Sequence, residues 1–212
     1  MIISFLNQKG GVGKTTLSIN VATALAKKKF KVLLIDADPQ NSSLDWAATR
    51  KTENYFTVVG INKPIIHKEV NKLIRDYDHI IIDGPPRIYD VAKSAIVASD
   101  IVIIPVQPSP YDIWAADEVV RLIKEVSEPL DGIKSIKSAF VINRKIVNTA
   151  IGRDVNEALQ HYNIEILNTH ICQRVSYAET AAIGSTVIEL IDKESLASKE
   201  ILDLTDEILD KF

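Results

Sequence analysis

The stretch Ile2-Ile3-Ser4-Phe5-Leu6-Asn7-Gln8-Lys9-Gly10-Gly11-Val12-Gly13-Lys14-Thr15-Thr16 decides the fold. Its first residues form a short apolar run that suits a strand, and a glycine-rich turn follows. Residues 15–29 then place Leu17, Val21, Ala24 and Leu25 on one helical stripe, with Lys27 to Lys29 at the C-terminal end, where cations suit the helix dipole. Strand, glycine loop and helix in immediate succession let backbone N–H groups and a helix N-terminus meet phosphate oxygens. Glycines allow the backbone to close around phosphates with no side chain in the way. Gly10, Gly11, Val12, Gly13, Lys14, Thr15 and Thr16 are the candidate phosphate-binding residues. Lys14 would reach the β/γ-phosphates, and the Thr15 hydroxyl would ligate Mg²⁺.

Similar apolar, β-branched runs recur at 31–35, 79–82, 101–105 and 139–142. Several are apolar at successive positions, the habit of parallel strands covered on both faces. Helical patterns fill the gaps at 90–98, 112–126 and 150–160. The alternation predicts an α/β, doubly wound, mostly parallel sheet with helices on both faces and right-handed crossovers. At 212 residues, with no repeat, low-complexity tract or linker-like shift in composition, one domain spanning 1–212 is expected.

Composition narrows the function. Twenty-five Lys and Arg against 28 Asp and Glu give a net charge of −3, so any contact with nucleic acid must come from a local patch or an assembled form. A single cysteine, Cys172, excludes an internal disulfide framework and a Cys-rich metal site. It is expected as a packed thiol in a reducing compartment. No basic n-region precedes the first strand, and nowhere do about 18 consecutive apolar residues occur. With Met1 so near that strand, no helix-turn-helix is expected ahead of it.

Two carboxylate blocks complete the pattern. Leu33-Leu34-Ile35-Asp36-Ala37-Asp38-Pro39-Gln40 puts two acids at a strand's C-terminal end, where α/β sheets bind ligands. Capping of the following helix is the alternative for either acid. Ile80-Ile81-Ile82-Asp83-Gly84-Pro85-Pro86 is an apolar strand ending in Asp, an arrangement in which Asp83 holds Mg²⁺ through water.

The general phosphate-loop pattern has Gly where this chain has Gln8, followed by a second lysine, Lys9. The string Lys-Gly-Gly-Val-Gly-Lys-Thr-Thr resembles the deviant Walker A loop of the ParA/MinD family of P-loop ATPases, and the likeness extends over most of the chain. It is nearest to small ParF-like plasmid partition ATPases. The resemblance implies ATP/ADP and Mg²⁺ as ligands and a homodimer in the ATP state. Lys9 would then reach the phosphates of the other subunit and act as an arginine finger does. It further implies that Asp38 orients the attacking water, that Asp36 attends Mg²⁺ or a switch, and that the Gly84 N–H faces the γ-phosphate. Asn143 and Gln173-Arg174 match positions around adenine. Non-specific DNA and a centromere-binding ParB-like or ParG-like protein are the implied partners, in a cytoplasmic, nucleoid-associated setting.

DNA contacts are less defined. The matching arginine of relatives falls on Tyr177 or Ser176 here, which leaves Arg174, Lys193 and Lys199 as substitutes. Residues 193–212 hold three Lys against six Asp or Glu, with Ile201, Leu204, Ile208 and Phe212 on a stripe. Such an acidic helix is expected to pack on its own domain, which disfavours a MinD-like membrane helix. Trp46 and Trp114 are expected to serve packing or a partner contact. A metabolic ligase on the same scaffold is the remaining rival.

Overall fold

The computed structural model describes residues 1–146, 151–190 and 195–212. Among them seven strands form one all-parallel sheet: β1 (Ile2–Phe5), β2 (Val32–Asp36), β3 (Thr57–Gly60), β4 (His79–Asp83), β5 (Ile101–Val106), β6 (Lys137–Ile142) and β7 (Glu165–Ile166). Their order is β3-β2-β4-β1-β5-β6-β7. β1 is central, so the loop leaving it opens at the crevice beyond the strand ends where such sheets bind ligands.

The five strand runs expected from sequence are the five inner strands. Their side chains alternate between two buried clusters. Ile2, Leu33, Ile35, Ile80, Ile82, Val102 and Ile104 pack on one face, against α3 (Ile66–Leu73), α4 (Tyr89–Ala98), α5 (Pro110–Ser127) and α6 (Ile151–Gln160). Ile3, Phe5, Leu34, Ile81, Ile101 and Ile103 pack on the other, against α1 (Lys14–Lys27), α2 (Ser42–Thr49), α8 (Val187–Leu190) and α9 (Leu196–Lys211). Burial of both faces explains the unbroken apolar runs. α7 (Val175–Ala182) follows the last strand and borders α2. The edge strands β3 and β7 were not expected.

Register aligns the functional ends. Phe5 and Asp36 are both cross-strand partners of Asp83, so the phosphate loop and the two acids emerge at one level. Pro105 lies inside β5, paired with Val141, and does not end that strand. Pro110 instead opens α5, where a missing N–H costs no hydrogen bond. The stripe on α9 is covered: Ile201, Leu204 and Ile208 are buried and Phe212 packs against them. No helix among the described residues is long and apolar enough to cross a membrane. Lys193 and Ala150, named above for DNA contact and for a helix start, lie outside the described residues.

Candidate active site

The loop is held open from its rim. Asn7 Nδ2 donates to the Pro105 carbonyl at 2.8 Å, and Asn7 Oδ1 accepts from the Lys9 N–H at 2.9 Å. Gln107 Nε2 donates to the Gly11 carbonyl at 3.0 Å. These bonds tie both sides of the loop to the end of β5. Gly11 and Gly13 have φ of +76° and +98°, conformations that L side chains rarely adopt. A Cβ on Gly10 or Gly11 would meet nothing within 4 Å. Gly13 ends the loop at the α1 N-cap with no side-chain cap bond. No side-chain acceptor meets the first N–H groups of α1 among the described residues, as a phosphate site requires.

Lys14 is only 6% exposed, with Nζ donating to the Lys9 carbonyl at 3.1 Å. Burial lowers its pKa, while Asp83 and Asp38 pull in the opposite direction. An ammonium held against desolvation by two acids and a loop carbonyl is placed for an anionic ligand. Asp83 is fully buried. Its Oδ2 accepts from Ser43 Oγ at 2.8 Å, and its Oδ1 has no hydrogen-bond partner. Burial pushes this carboxyl up to about 7, against the weaker pulls of the Ser43 and Thr15 hydroxyls and of Lys14. A buried carboxylate oxygen without a partner, beside the Thr15 hydroxyl, fits an oxygen-liganded divalent cation such as Mg²⁺ with its waters.

The two acids after β2 separate in role. Asp36 Oδ2 accepts from the N–H groups of Ser43 and Leu44 at 2.8 and 3.0 Å, and Oδ1 accepts from the Asp38 N–H at 3.1 Å. Both oxygens are thus occupied at the N-terminus of α2, and burial raises the Asp36 pKa ahead of those opposing bonds. Asp36 thereby anchors the start of α2, the capping role that the sequence offered as its alternative. Asp38 is half-exposed on the crevice side. Its Oδ1 accepts from the Gln40 N–H at 3.0 Å, and its charge acts on Lys14. The Gly84 position is tight, since a Cβ there would lie 2.0 Å from Leu6 Cδ2 and 2.8 Å from the Phe5 carbonyl, and its N–H already donates to that carbonyl. The expected donation of that N–H to a γ-phosphate is thus pre-empted in this state.

A cavity of about 760 Å³ opens beside the loop, lined by Gly13, Thr16, Asn143, Cys172, Gln173, Arg174 and Tyr177 among others. The sequence-predicted base-binding residues therefore do converge. Their polar ends are partly committed: Asn143 Nδ2 donates to the Val12 carbonyl at 2.7 Å, and its Oδ1 accepts from the Arg144 N–H. Asn143 thereby braces the phosphate loop. Arg174 is paired with Glu200 at 2.5 and 3.2 Å. Lys199 is exposed on α9. Cys172 is half-buried on the cavity wall instead of in the core. Burial and Glu200 raise its pKa, so the thiol is not activated. Trp46 is buried, stacked on Phe56 and donating to the Ser185 carbonyl, whereas Trp114 is 68% exposed beside Tyr111.

Asn7, Ser43, Gln107 and Asp112 were not singled out in sequence. Asp112, in the first turn of α5, is 1% exposed and accepts from Lys9 Nζ at 2.8 Å.

The geometry is that of a nucleotide site, and comparison with known proteins agrees. Residues 3–187 match the CobQ/CobB/MinD/ParA nucleotide binding domain. The maintenance of carboxysome distribution protein A of Halothiobacillus neapolitanus is 26% identical over 216 residues, covering 98% of this chain and 95% of that protein. The sporulation initiation inhibitor protein Soj of Bacillus subtilis is 28% identical over 248 residues, covering 98% and 97%. Among solved structures, MinD of Aquifex aeolicus superposes with a TM-score of 0.79 at 23% identity, covering 100% of this chain and 97% of that one. The chain belongs to the CobQ/CobB/MinD/ParA family of P-loop ATPases.

Proposed function

We propose that this chain, folded as one domain over 1–212, hydrolyses ATP to ADP and phosphate with Mg²⁺ and pairs as a homodimer in the ATP state. The loop from Gly10 to Thr16 and Lys14 would hold the phosphates. Thr15 and Asp83 would hold Mg²⁺, which neutralises charge on the transferring phosphoryl group when bound. Asp38, half-exposed at the crevice, would orient water. Asn143, Gln173 and Arg174 would wall the base cavity.

What carries the reading is the contrast between the loop's two lysines. Lys14 is turned into the loop, whereas the Lys9 side chain stands at its mouth, 37% exposed. A cation at that mouth lies where a second copy's phosphates could recruit it, and a site that lacks it turns over slowly alone.

The role that follows is partition of plasmid or chromosomal DNA in the cytoplasm. The ATP dimer binds nucleoid DNA without sequence preference, and a ParB-like or ParG-like centromere-binding protein stimulates turnover. The likeness to the carboxysome distribution protein favours a second reading, positioning of a protein assembly by the same cycle. Sedimentation of the full chain with ADP and with a non-hydrolysable ATP analogue tests the core of this. The runs are made with DNA, with lipid vesicles and with neither. Pairing with the analogue, and salt-sensitive co-sedimentation with DNA but not vesicles, is the expected result. A monomer with the analogue would refute the dimer; pelleting with vesicles alone would move the chain to a membrane cycle.

A further inference from the structure

One wall of the base cavity is held from behind by α9. That wall is the run from Ile171 to Ala178, and it begins as extended chain. The Ile171 and Gln173 N–H groups turn toward the end of β6, donating to the Ile142 and Lys145 carbonyls at 2.9 and 3.0 Å. Alternation along an extended chain turns the intervening Cys172 N–H the other way, and Glu200 of α9 meets it there. Glu200 Oε2 accepts from the Cys172 N–H at 3.1 Å and from Arg174 Nε at 3.2 Å, and Oε1 accepts from Arg174 Nη2 at 2.5 Å. Seven residues further along α9, and so on the same face, Glu207 accepts from the Asn168 and Thr169 N–H groups at 2.7 and 2.8 Å. Two carboxylates of one helix thus clasp one connecting segment. Of their partners, Cys172 and Arg174 line the cavity, whereas Asn168 and Thr169 do not.

We propose that Glu200 is a positioning residue for nucleotide binding: it fixes the Cys172–Arg174 wall against α9 and so sets how well the cavity tells one purine base from another. The role rests on the reading of this cavity as the base site. Adenine and guanine differ mainly in the donors and acceptors along their edges, so discrimination between them demands polar groups held at fixed places. A wall free to shift accepts either base with a similarly poor fit. Glu200 supplies the fixity through charge-assisted bonds to a backbone donor and to a planar, two-pronged cation. Its charge also reaches the Tyr177 phenol and the Cys172 thiol, whose pKa values are raised chiefly by burial. Tyr177 Oη in turn donates to the Ala197 carbonyl, one turn before Glu200. α9 therefore grips this wall at Cys172, Arg174 and Tyr177.

Calorimetric titration of four full-length proteins decides it: wild type, Glu200→Ala, Glu200→Gln and Glu207→Ala, each with Mg²⁺ and ADP, GDP or pyrophosphate. Glu200→Ala is expected to weaken ADP binding about tenfold, the loss of about one hydrogen bond at the base. GDP should weaken less, and pyrophosphate, which has no base, should bind as to wild type. Glu200→Gln keeps an acceptor of the same reach and is expected to fall between wild type and Glu200→Ala; it carries the test alone if the alanine variant does not fold. Glu207→Ala frees the far end of the same segment. It is expected to lower Tm in thermal unfolding and to leave the preference for ADP over GDP as in wild type. An unchanged preference in the Glu200 variants overturns the role. So does an equal loss of preference in Glu207→Ala, or a uniform loss for all three ligands, since the contacts would then be structural only. Wild type that binds pyrophosphate as tightly as ADP and GDP would refute the base reading of the cavity, and this role with it.

Discussion

Two polar clusters in this molecule are buried to a similar degree and finished differently. At the phosphate end, Asp83 Oδ1, Asp112 Oδ1 and Gln8 Oε1 are acceptors without partners among the described residues. At the far end of α2, Arg50 and Glu189, with side chains 2% and 8% exposed, meet in a two-pronged ion pair at 2.7 and 3.0 Å. Arg50 also donates to the Gly184 and Glu53 carbonyls and lies over Trp46. Burial would raise the Glu189 carboxyl, but Arg50 and Thr186 outweigh it and hold it below its usual value. The cluster that serves the fold closes both carboxylate oxygens of Glu189 and leaves one donor, Arg50 Nε, without a partner among the described residues; the one that serves a ligand leaves acceptors open. α2 joins the two, anchored by Asp36 at its start and by Arg50 just beyond its end.

That contrast makes opposite demands on substitution. Arg50→Ala leaves Glu189 buried and unpaired, so unfolding free energy is expected to fall by about 3–5 kcal/mol, read by urea denaturation. Asp83→Asn is expected to cut ATP turnover by about 10²–10³-fold, the loss typical of one electrostatic group at a reacting centre. Its unfolding free energy at pH 8 should move by less than about 1 kcal/mol, because relief of a buried charge offsets the amide proton left unpaired. Should Asp83→Asn destabilise the chain as much as Arg50→Ala does, the division into open and closed clusters is wrong.

Two glycines sharpen the comparison. Gly184 has φ of +65°, and a Cβ there would sit 2.5 Å from the Arg50 backbone nitrogen, which cannot yield. At Gly13 the obstacle is the tip of Asn143, at 2.1 Å, which can turn away. Gly184→Ala is therefore expected to cost about 2 kcal/mol or more in unfolding experiments, beyond the roughly 1–2 kcal/mol of left-handed strain common to both. Gly13→Ala should instead show its main effect on nucleotide affinity, since Asn143 braces the loop.

The inner half of the sheet was legible because burial on both faces writes itself as unbroken β-branched runs, as in Ile80-Ile81-Ile82. β3 was not, since Thr57–Gly60 is an exposed edge strand with no such run. β7 is two residues long and leaves no pattern to find. The placing of the phosphate loop, Asp38 and Asp83 around one crevice was legible because each sits directly after an apolar strand run, and parallel strands bring their C-terminal ends to one level. Ser43, Gln107 and Asp112 reach the site from other loops and helices. Lys9 and Asp112 are 103 residues apart, and only folding reveals that one holds the other. Asp36 was half legible: capping of the next helix was open to either acid in the sequence, and only the fold shows that Asp36 takes it, through the N–H groups of Ser43 and Leu44.

The smallest expected effect lies at the opposite end of the strands, where a polar group is buried for neither ligand nor bond. His79 opens β4, is buried, packs edge-on to Phe30 at 4.7 Å, and has no partner for Nδ1. Burial is the main cause that lowers its pKa; the Met1 ammonium adds to this, and Asp78 opposes it. The unfolded chain, with an ordinary imidazole near pH 6.5, then takes up the proton first as pH falls. Stability present above pH 6.5 is lost as pH drops toward the lower folded value. Between pH 7.5 and 5.5 the wild type should lose about 1–3 °C of Tm more than His79→Gln does. Other titrating groups cancel in that difference. Equal losses in the two proteins would show that protonated His79 is tolerated at this end of the sheet, and that an unpartnered polar atom can be buried here without consequence for the fold.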